Sequence, residues 1–284
     1  IQVETNKFAN EGLTVDFDGH TYTVGGVLVG SAGTGTNAFQ LLAGNNIVFM
    51  NGTIAGVTEN TKPAEDTPNW HGAPAIVIQN YANLTLKNMS VVGGDETVYT
   101  VSNNNGDVVI EDTVITAGKA KGYTSAPVAF DVCRYADYPS VTVTVKGNSI
   151  INGDIEVSGN IGDGQSRQLN IENGTFNGEF KVANTPANIA VSGGKFSTEI
   201  PEDYCADGFI PTKNADGTYT VKSGSYVAKV GSAKYETLAE AFAAAQSGDT
   251  VALLADVTED VVISENITLD LGGKTLTNTS AVML

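Results

Sequence analysis

The sequence predicts an all-β fold, a parallel β-helix (solenoid) with a terminal hairpin and a C-terminal stub containing one short helix. Three observations predict it. Glycine makes up 32 of the 284 residues, and Asn, Thr and Val are abundant, a mixture that suits short β-branched strands broken by tight turns. A short alternating apolar pattern with a polar or glycine corner recurs seven times through the first two hundred residues. Only one segment has convincing helical periodicity, and it lies near the C-terminus.

The recurring pattern occupies residues 13–24, 47–54, 84–91, 108–115, 141–150, 169–176 and 189–196. With Gly19, Gly52, Asn88, Asp112, Gly147, Asn173 and Gly193 as corners, the steps are 33, 36, 24, 35, 26 and 20 residues, a mean of 29. A constant kernel with variable spacers is what a solenoid gives, because each coil repeats its strands and insertions leave from the turns. Period-two alternation points one side chain inward and the next outward. The expected inward set is Val15, Phe17, Val48, Met50, Leu84, Leu86, Val109 or Ile110, Val143, Val145, Leu169, Ile171, Ile189 and Val191. A β-sandwich or a propeller is the alternative, but four-stranded blades need more than 29 residues each.

Two strands around Asn214-Ala-Asp-Gly217 read as a hairpin ending near Val221, placed to cover the open end of the stack. The texture changes after it, so the domains divide as 1–222, a β-helix with closing hairpin, and 223–284, a cap helix and the first coil of a second β-helix. The helix covers 237–246, with Thr237 as N-cap, Glu240 three residues on, and an apolar stripe of Leu238, Ala241, Phe242 and Ala245. A further copy of the kernel follows at 267–276.

Residues Glu236-Thr-Leu-Ala-Glu-Ala-Phe-Ala-Ala-Ala-Gln-Ser-Gly-Asp-Thr-Val251 and Ile267-Thr-Leu-Asp-Leu-Gly-Gly-Lys-Thr-Leu276 resemble the cap and first coil of a right-handed, pectate-lyase-like β-helix. Such elements are common in surface proteins of Gram-positive bacteria. Gly193-Gly-Lys-Phe-Ser197 and Asn214-Ala-Asp-Gly-Thr-Tyr-Thr-Val221 are similar to the closing coil and hairpin of the same proteins. The resemblance implies a right-handed coil and an extracellular or cell-surface location, and it implies no particular activity.

Thirty-two acidic against fifteen basic residues give a net charge of −17, which disfavours nucleic acid and anionic membranes as partners. No apolar run is long enough to span a bilayer. Two His and two Cys exclude the usual zinc sites, and no metal or other cofactor is expected. Cys133 and Cys205 are read as two free, buried thiols in preference to a disulfide. Asn214–Gly217 and Asp163-Gly164 are read as turns, not calcium loops. The chain begins at Ile1 without a leader, as expected of a mature product or a piece of something longer.

Enzymes of the resembled fold use clustered aspartates or an acidic calcium cage with a basic residue. This chain lacks the Asn-Thr-Asp and Asp-Asp strings, and no catalytic residue is assigned. Asp131, Arg134 and Asp137 share one segment, read as a solvated turn with one ion pair. A long insertion, 57–74, carries the only tryptophan, Trp70, beside His71. Loops on rigid scaffolds are common binding devices, and an aromatic face stacks on a sugar ring. Trp70, His71, Arg134 and Tyr135 are therefore the candidate carbohydrate-binding residues, with a fold-back anchor as the competing role for Trp70. His20 is expected to be an outward or hydrogen-bonded corner residue.

The leading expectation is a non-catalytic extracellular structural or adhesive module, with a carbohydrate-binding module or a polysaccharide lyase or hydrolase as alternatives. A host or cell-wall glycan is one expected partner, and copies of the chain itself are another. Residues 11–24 and 265–278 are identical at six of fourteen positions (Glu, Thr, Asp, Gly, Thr, Thr), at an offset of 254 between Gly19 and Gly273. Residues 255–284 are thus equivalent to 1–30. Head-to-tail assembly through residues 1–30 and 225–284, building a fibre, is the expected consequence, with tandem 254-residue repeats in one longer chain as its rival.

Overall fold

The computed structural model describes residues 1–24, 27–30, 35–64, 72–184 and 186–279. Among these the chain is nearly all β, with one α-helix, Leu238–Ala244. It divides into two compact units, Ile1–Ala206 with Pro211–Lys222, and Asp207–Ile210 with Ser223–Leu284.

In the first unit the chain alternates between two parallel sheets. The recurring kernels form one of them. Leu13–Asp16, Asn46–Ala55, Asn83–Val92, Gly106–Glu111, Ser140–Lys146, Ser166–Ile171 and Ile189–Val191 pair each with the next, always parallel. Leu13, Ile47, Leu84, Val108, Val143, Leu169 and Ile189 are successive partners, so the register advances by 34, 37, 24, 35, 26 and 20 residues. The second sheet has seven strands that the kernels did not mark: Gln2–Val3, Asn37–Leu41, Ile76–Asn80, Tyr99–Asn103, Val128–Cys133, Asp154–Ser158 and Phe180–Val182. They too are parallel and neighbour one another in chain order.

Apolar columns fill the core. Leu84, Leu86, Ile110, Val143, Val145, Leu169, Ile171 and Val191 are buried as expected. Two expected members are corrected. Ile47 and Phe49 are the buried residues of their strand, and Val48 and Met50 are only half-buried; of the pair left open, Ile110 is the buried one, with Val108, and Val109 is half-buried. The run Ile47-Val-Phe-Met50 is apolar throughout, so its phase cannot be read, and a slip of one residue exchanges the faces. Phe17 does point inward, edge-on to Phe49 at 5.9 Å.

The corners need left-handed backbone, but not always at the expected residue. Gly19, Asn88, Asp112 and Gly147 have positive φ, whereas Asn51, Gly174 and Gly194 take that role in place of Gly52, Asn173 and Gly193. Gly52 is instead required by close approach: a Cβ there would lie 2.3 Å from the Phe17 Cβ and 2.7 Å from the His20 carbonyl. Asparagines stack beside the corners, Asn83 on Asn46 at 2.9 Å and Asn88 on Asn51 at 3.1 Å.

The hairpin turn closes through Asn214 N–H to the Thr218 carbonyl at 2.7 Å, with Gly217 at φ 84°. Its second strand, Tyr219–Ser223, pairs antiparallel with Lys195–Phe196. In the second unit, Thr237 and Glu240 form the reciprocal capping box, and Glu259 accepts from the Leu238 and Ala239 N–H groups at 2.9 and 3.0 Å. The helix is shorter than 237–246 because Ala245 is already extended, yet Leu238, Ala241, Phe242 and Ala245 are all buried. They pack with Ala228, Val251, Leu253 and Val257. Thr250–Leu253 pairs antiparallel with Ala228–Val230 on one edge and parallel with Thr268–Asp270 on the other.

Register assigns side chains to faces, and the cost of truncation should follow it. Ile110→Ala is expected to lower unfolding free energy by ~2–5 kcal/mol, and Met50→Ala by less than ~1 kcal/mol. Urea midpoints with unchanged slopes check both.

Candidate functional site

Trp70 and His71 lie outside the described residues. Arg134 and Tyr135 lie together at the turn that follows Val128–Cys133. Arg134 is not ion-paired within its segment: its Nε donates to the Asn160 carbonyl and its Nη1 to the Ala136 carbonyl. Asp131 is neither in a turn nor solvated. It lies within the strand and is 4% exposed. The expected ion-paired surface turn is thus replaced by a strand carboxylate and an arginine that ties down the following loop.

The environment of Asp131 follows from register. Gln2, Gln40, Gln79, Ser102, Asp131, Glu156 and Lys181 are successive Cα partners across all seven strands, and in-register parallel pairing puts them on one face. Within this polar row, Gln2 Nε2 donates to Gln40 Oε1 at 2.5 Å, and Gln40 Nε2 to Gln79 Oε1 at 2.8 Å. Ser102 Oγ donates to Asp131 Oδ2 at 3.1 Å, and the Asn103 N–H to Oδ1 at 2.5 Å. Tyr99 reaches across the intervening strand, and its hydroxyl donates to Glu156 Oε2 at 3.3 Å. Burial pushes the Asp131 carboxyl up to about 8; the Asn103 N–H opposes this, and the neighbouring Glu156 carboxylate adds to it. The two acidic residues of the row thus differ in burial, Asp131 enclosed and Glu156 half-buried.

Beside the row lies a tyrosine cluster. Tyr81 is buried, with Tyr138 at 5.0 Å between ring centroids and Tyr135 edge-on at 6.2 Å. Burial, then Tyr135, Tyr138 and Asp131, push the Tyr81 hydroxyl up to about 12. Tyr135 is 52% exposed, beside a depression of about 300 Å³ lined by Ala136, Asp137 and Tyr138.

The only other arginine, Arg167, is fully buried, with no carboxylate partner among the described residues. Its guanidinium donates to the carbonyls of Gly159 (2.6 Å), Asn184 (2.9 Å) and Pro186 (2.7 Å), and Nε is left without a partner. Both arginines therefore clasp successive loops at one corner of the stack. Cys133 and Cys205 are free thiols, half-buried where full burial was expected. His20 is an exposed corner residue whose Nδ1 lies 3.1 Å from the Phe17 carbonyl. Among the described residues no cluster of His, Cys, Asp or Glu is placed to hold a metal ion, and no helix is long and apolar enough to cross a membrane.

Sequence reasoning missed the polar row, Glu156 and Tyr81: partners in the row lie 23–39 residues apart, Tyr81 lies more than fifty residues from Tyr135 and Tyr138, and the seven strands show no clean alternation. The recurrence of Gln40 and Gln79 each one residue after an apolar residue was the available signal. Comparison with protein-family models, curated proteins and solved structures returns no match to this chain.

Asp131 holds a proton in the folded state that the unfolded chain has released between about pH 4 and 8. Its contribution to stability therefore falls as pH rises through that window and is flat above it. Asp131→Asn removes this dependence, so the melting temperature of the variant should gain on the wild type from pH 5 to pH 9. Arg167→Met should cost ~2–4 kcal/mol, since three carbonyls lose their donor, and Arg167→Lys should not restore it. Urea unfolding of the three proteins measures this.

Proposed function

We propose that the chain is a right-handed parallel β-helix, of the pectate-lyase-like kind found on Gram-positive surfaces, acting as a non-catalytic extracellular structural and adhesive module. Support for the coil comes from strict alternation between two parallel sheets and from the near-universal right-handedness of parallel crossovers. Steps of 20–37 residues leave the corners free to carry insertions without disturbing the ladder.

The observation that carries the structural role is the 254-residue recurrence, which holds for strands as well as for sequence. Thr268–Asp270 is equivalent to residues 14–16 of the strand Leu13–Asp16, and Leu276–Thr277 to residues 22–23 of Thr21–Thr23. Their bonding is complementary. Among the described residues, Leu13–Asp16 pairs only with the next kernel strand, Asn46–Ala55. Among the described residues, Thr268–Asp270 pairs only with an earlier strand, Thr250–Leu253. The open edges are therefore opposite edges of one parallel ladder. Apolar side chains are bare at both: Tyr22 is 41% exposed, and Leu271 is 42% exposed. Unpaired edges with apolar side chains favour pairing. The second unit of one copy pairs with the first unit of the next, a heterologous contact that builds a fibre. The same pairing would join tandem repeats in a longer chain.

Multi-angle light scattering tests this. The protein should grow in mass with concentration, and Leu271→Lys, which puts a charge on the open edge, should hold it monomeric. A wild-type chain that stays monomeric at the highest concentration, or a variant that assembles equally, would refute edge pairing.

A further inference from the structure

We propose that the turn bearing Tyr135 is a preformed platform for a neutral hexopyranose of a glycan chain. The site is separate from the open edges, so a chain that failed to assemble would still carry it.

The turn is held from several sides. The Tyr138 N–H donates to the Tyr135 carbonyl at 3.2 Å, and Arg134 bonds the Asn160 and Ala136 carbonyls. Gln165 Nε2 donates to the Tyr138 carbonyl at 3.3 Å. Ala136 is fixed at φ 48°, a left-handed conformation that costs a non-glycine residue and persists only where its surroundings impose it. Tyr81 beneath is the buried anchor against which the rings of Tyr135 and Tyr138 lean. Little ordering remains to be done when a ligand arrives, and preorganisation of this kind favours binding.

Chemistry selects the ligand. An exposed phenol ring offers an apolar face for the C–H face of a pyranose and a hydroxyl at its tip. Asp137, which lines the adjoining depression, supplies an acceptor for sugar hydroxyls. Acidic glycans are disfavoured: the chain carries a net charge of −17, and the guanidinium of Arg134 already bonds two carbonyls. The depression, about 300 Å³ and lined by three residues, suits one or two sugar rings rather than an enclosed small molecule.

The test is an array of neutral and uronic-acid oligosaccharides, followed by titration calorimetry with any neutral hit and with a proline-rich peptide, which could also stack on tyrosine. A neutral glycan should bind, Tyr135→Ala should weaken it roughly tenfold or more, and Tyr135→Phe should largely retain it. Asp137→Asn serves as a second variant, expected to weaken binding, and thermal melts confirm that each variant folds. Absence of any neutral glycan hit would overturn the proposal. So would affinity unchanged by Tyr135→Ala, or binding confined to uronic acids or to the peptide. Light scattering on the same samples reads assembly separately, so failure of one proposal is distinguishable from failure of the other.

Discussion

In-register parallel pairing is the constraint on which the rest of this structure depends. Each strand lies beside a strand from the next passage of the chain, and partner residues share a face. Chemical likeness is thereby stacked: Leu84, Val108, Val143 and Leu169 form an apolar column, Asn46 and Asn83 a hydrogen-bonded ladder, and Gln2, Gln40 and Gln79 the start of a polar row. The surroundings of Asp131 are a consequence of these columns. Asp131 meets Glu156 and Ser102 because they are its Cα partners, not because they are near in sequence.

Stacking also raises the cost of a misplaced polar group, since a buried one must be satisfied within its own column or corner. The two arginines answer that requirement. In a chain so rich in acid, both are spent on backbone carbonyls, Arg167 on three of them, where loops too irregular for ladder pairing would otherwise leave carbonyls unbonded. Asp131 answers it differently, by keeping its proton. A carboxyl that accepts from Ser102 and Asn103 yet lies among a second carboxylate and tyrosines is poised by burial, not by exposure.

Much of the first unit was legible in the sequence because strands of the kernel sheet have one buried and one half-exposed face. Ser140–Lys146 alternates cleanly, and its neighbours follow. The seven-stranded sheet was not legible: Asn37–Leu41 is buried at all five positions, and Val128–Cys133 at five of six, so no period marks them. Asp131 looked like part of a solvated turn for that reason. The helix was readable from its capping box and apolar stripe together, and Thr237 with Glu240 fixed its start better than periodicity fixed its end. Tyr135 could be singled out as a candidate, but the ring beneath it could not, because Tyr81 lies more than fifty residues away.

The most direct measurement is of register itself. Thr85 and Thr144 flank Val109 as its partners on either side, so nitroxide labels replacing both threonines should sit two strand spacings apart, about 10 Å, on the outward face. Strong dipolar broadening in the electron paramagnetic resonance spectrum, with labels accessible to aqueous relaxants and the fold intact by circular dichroism, is the result expected. An unbroadened spectrum, or labels shielded from water, would contradict in-register parallel stacking and with it the account of what each face carries.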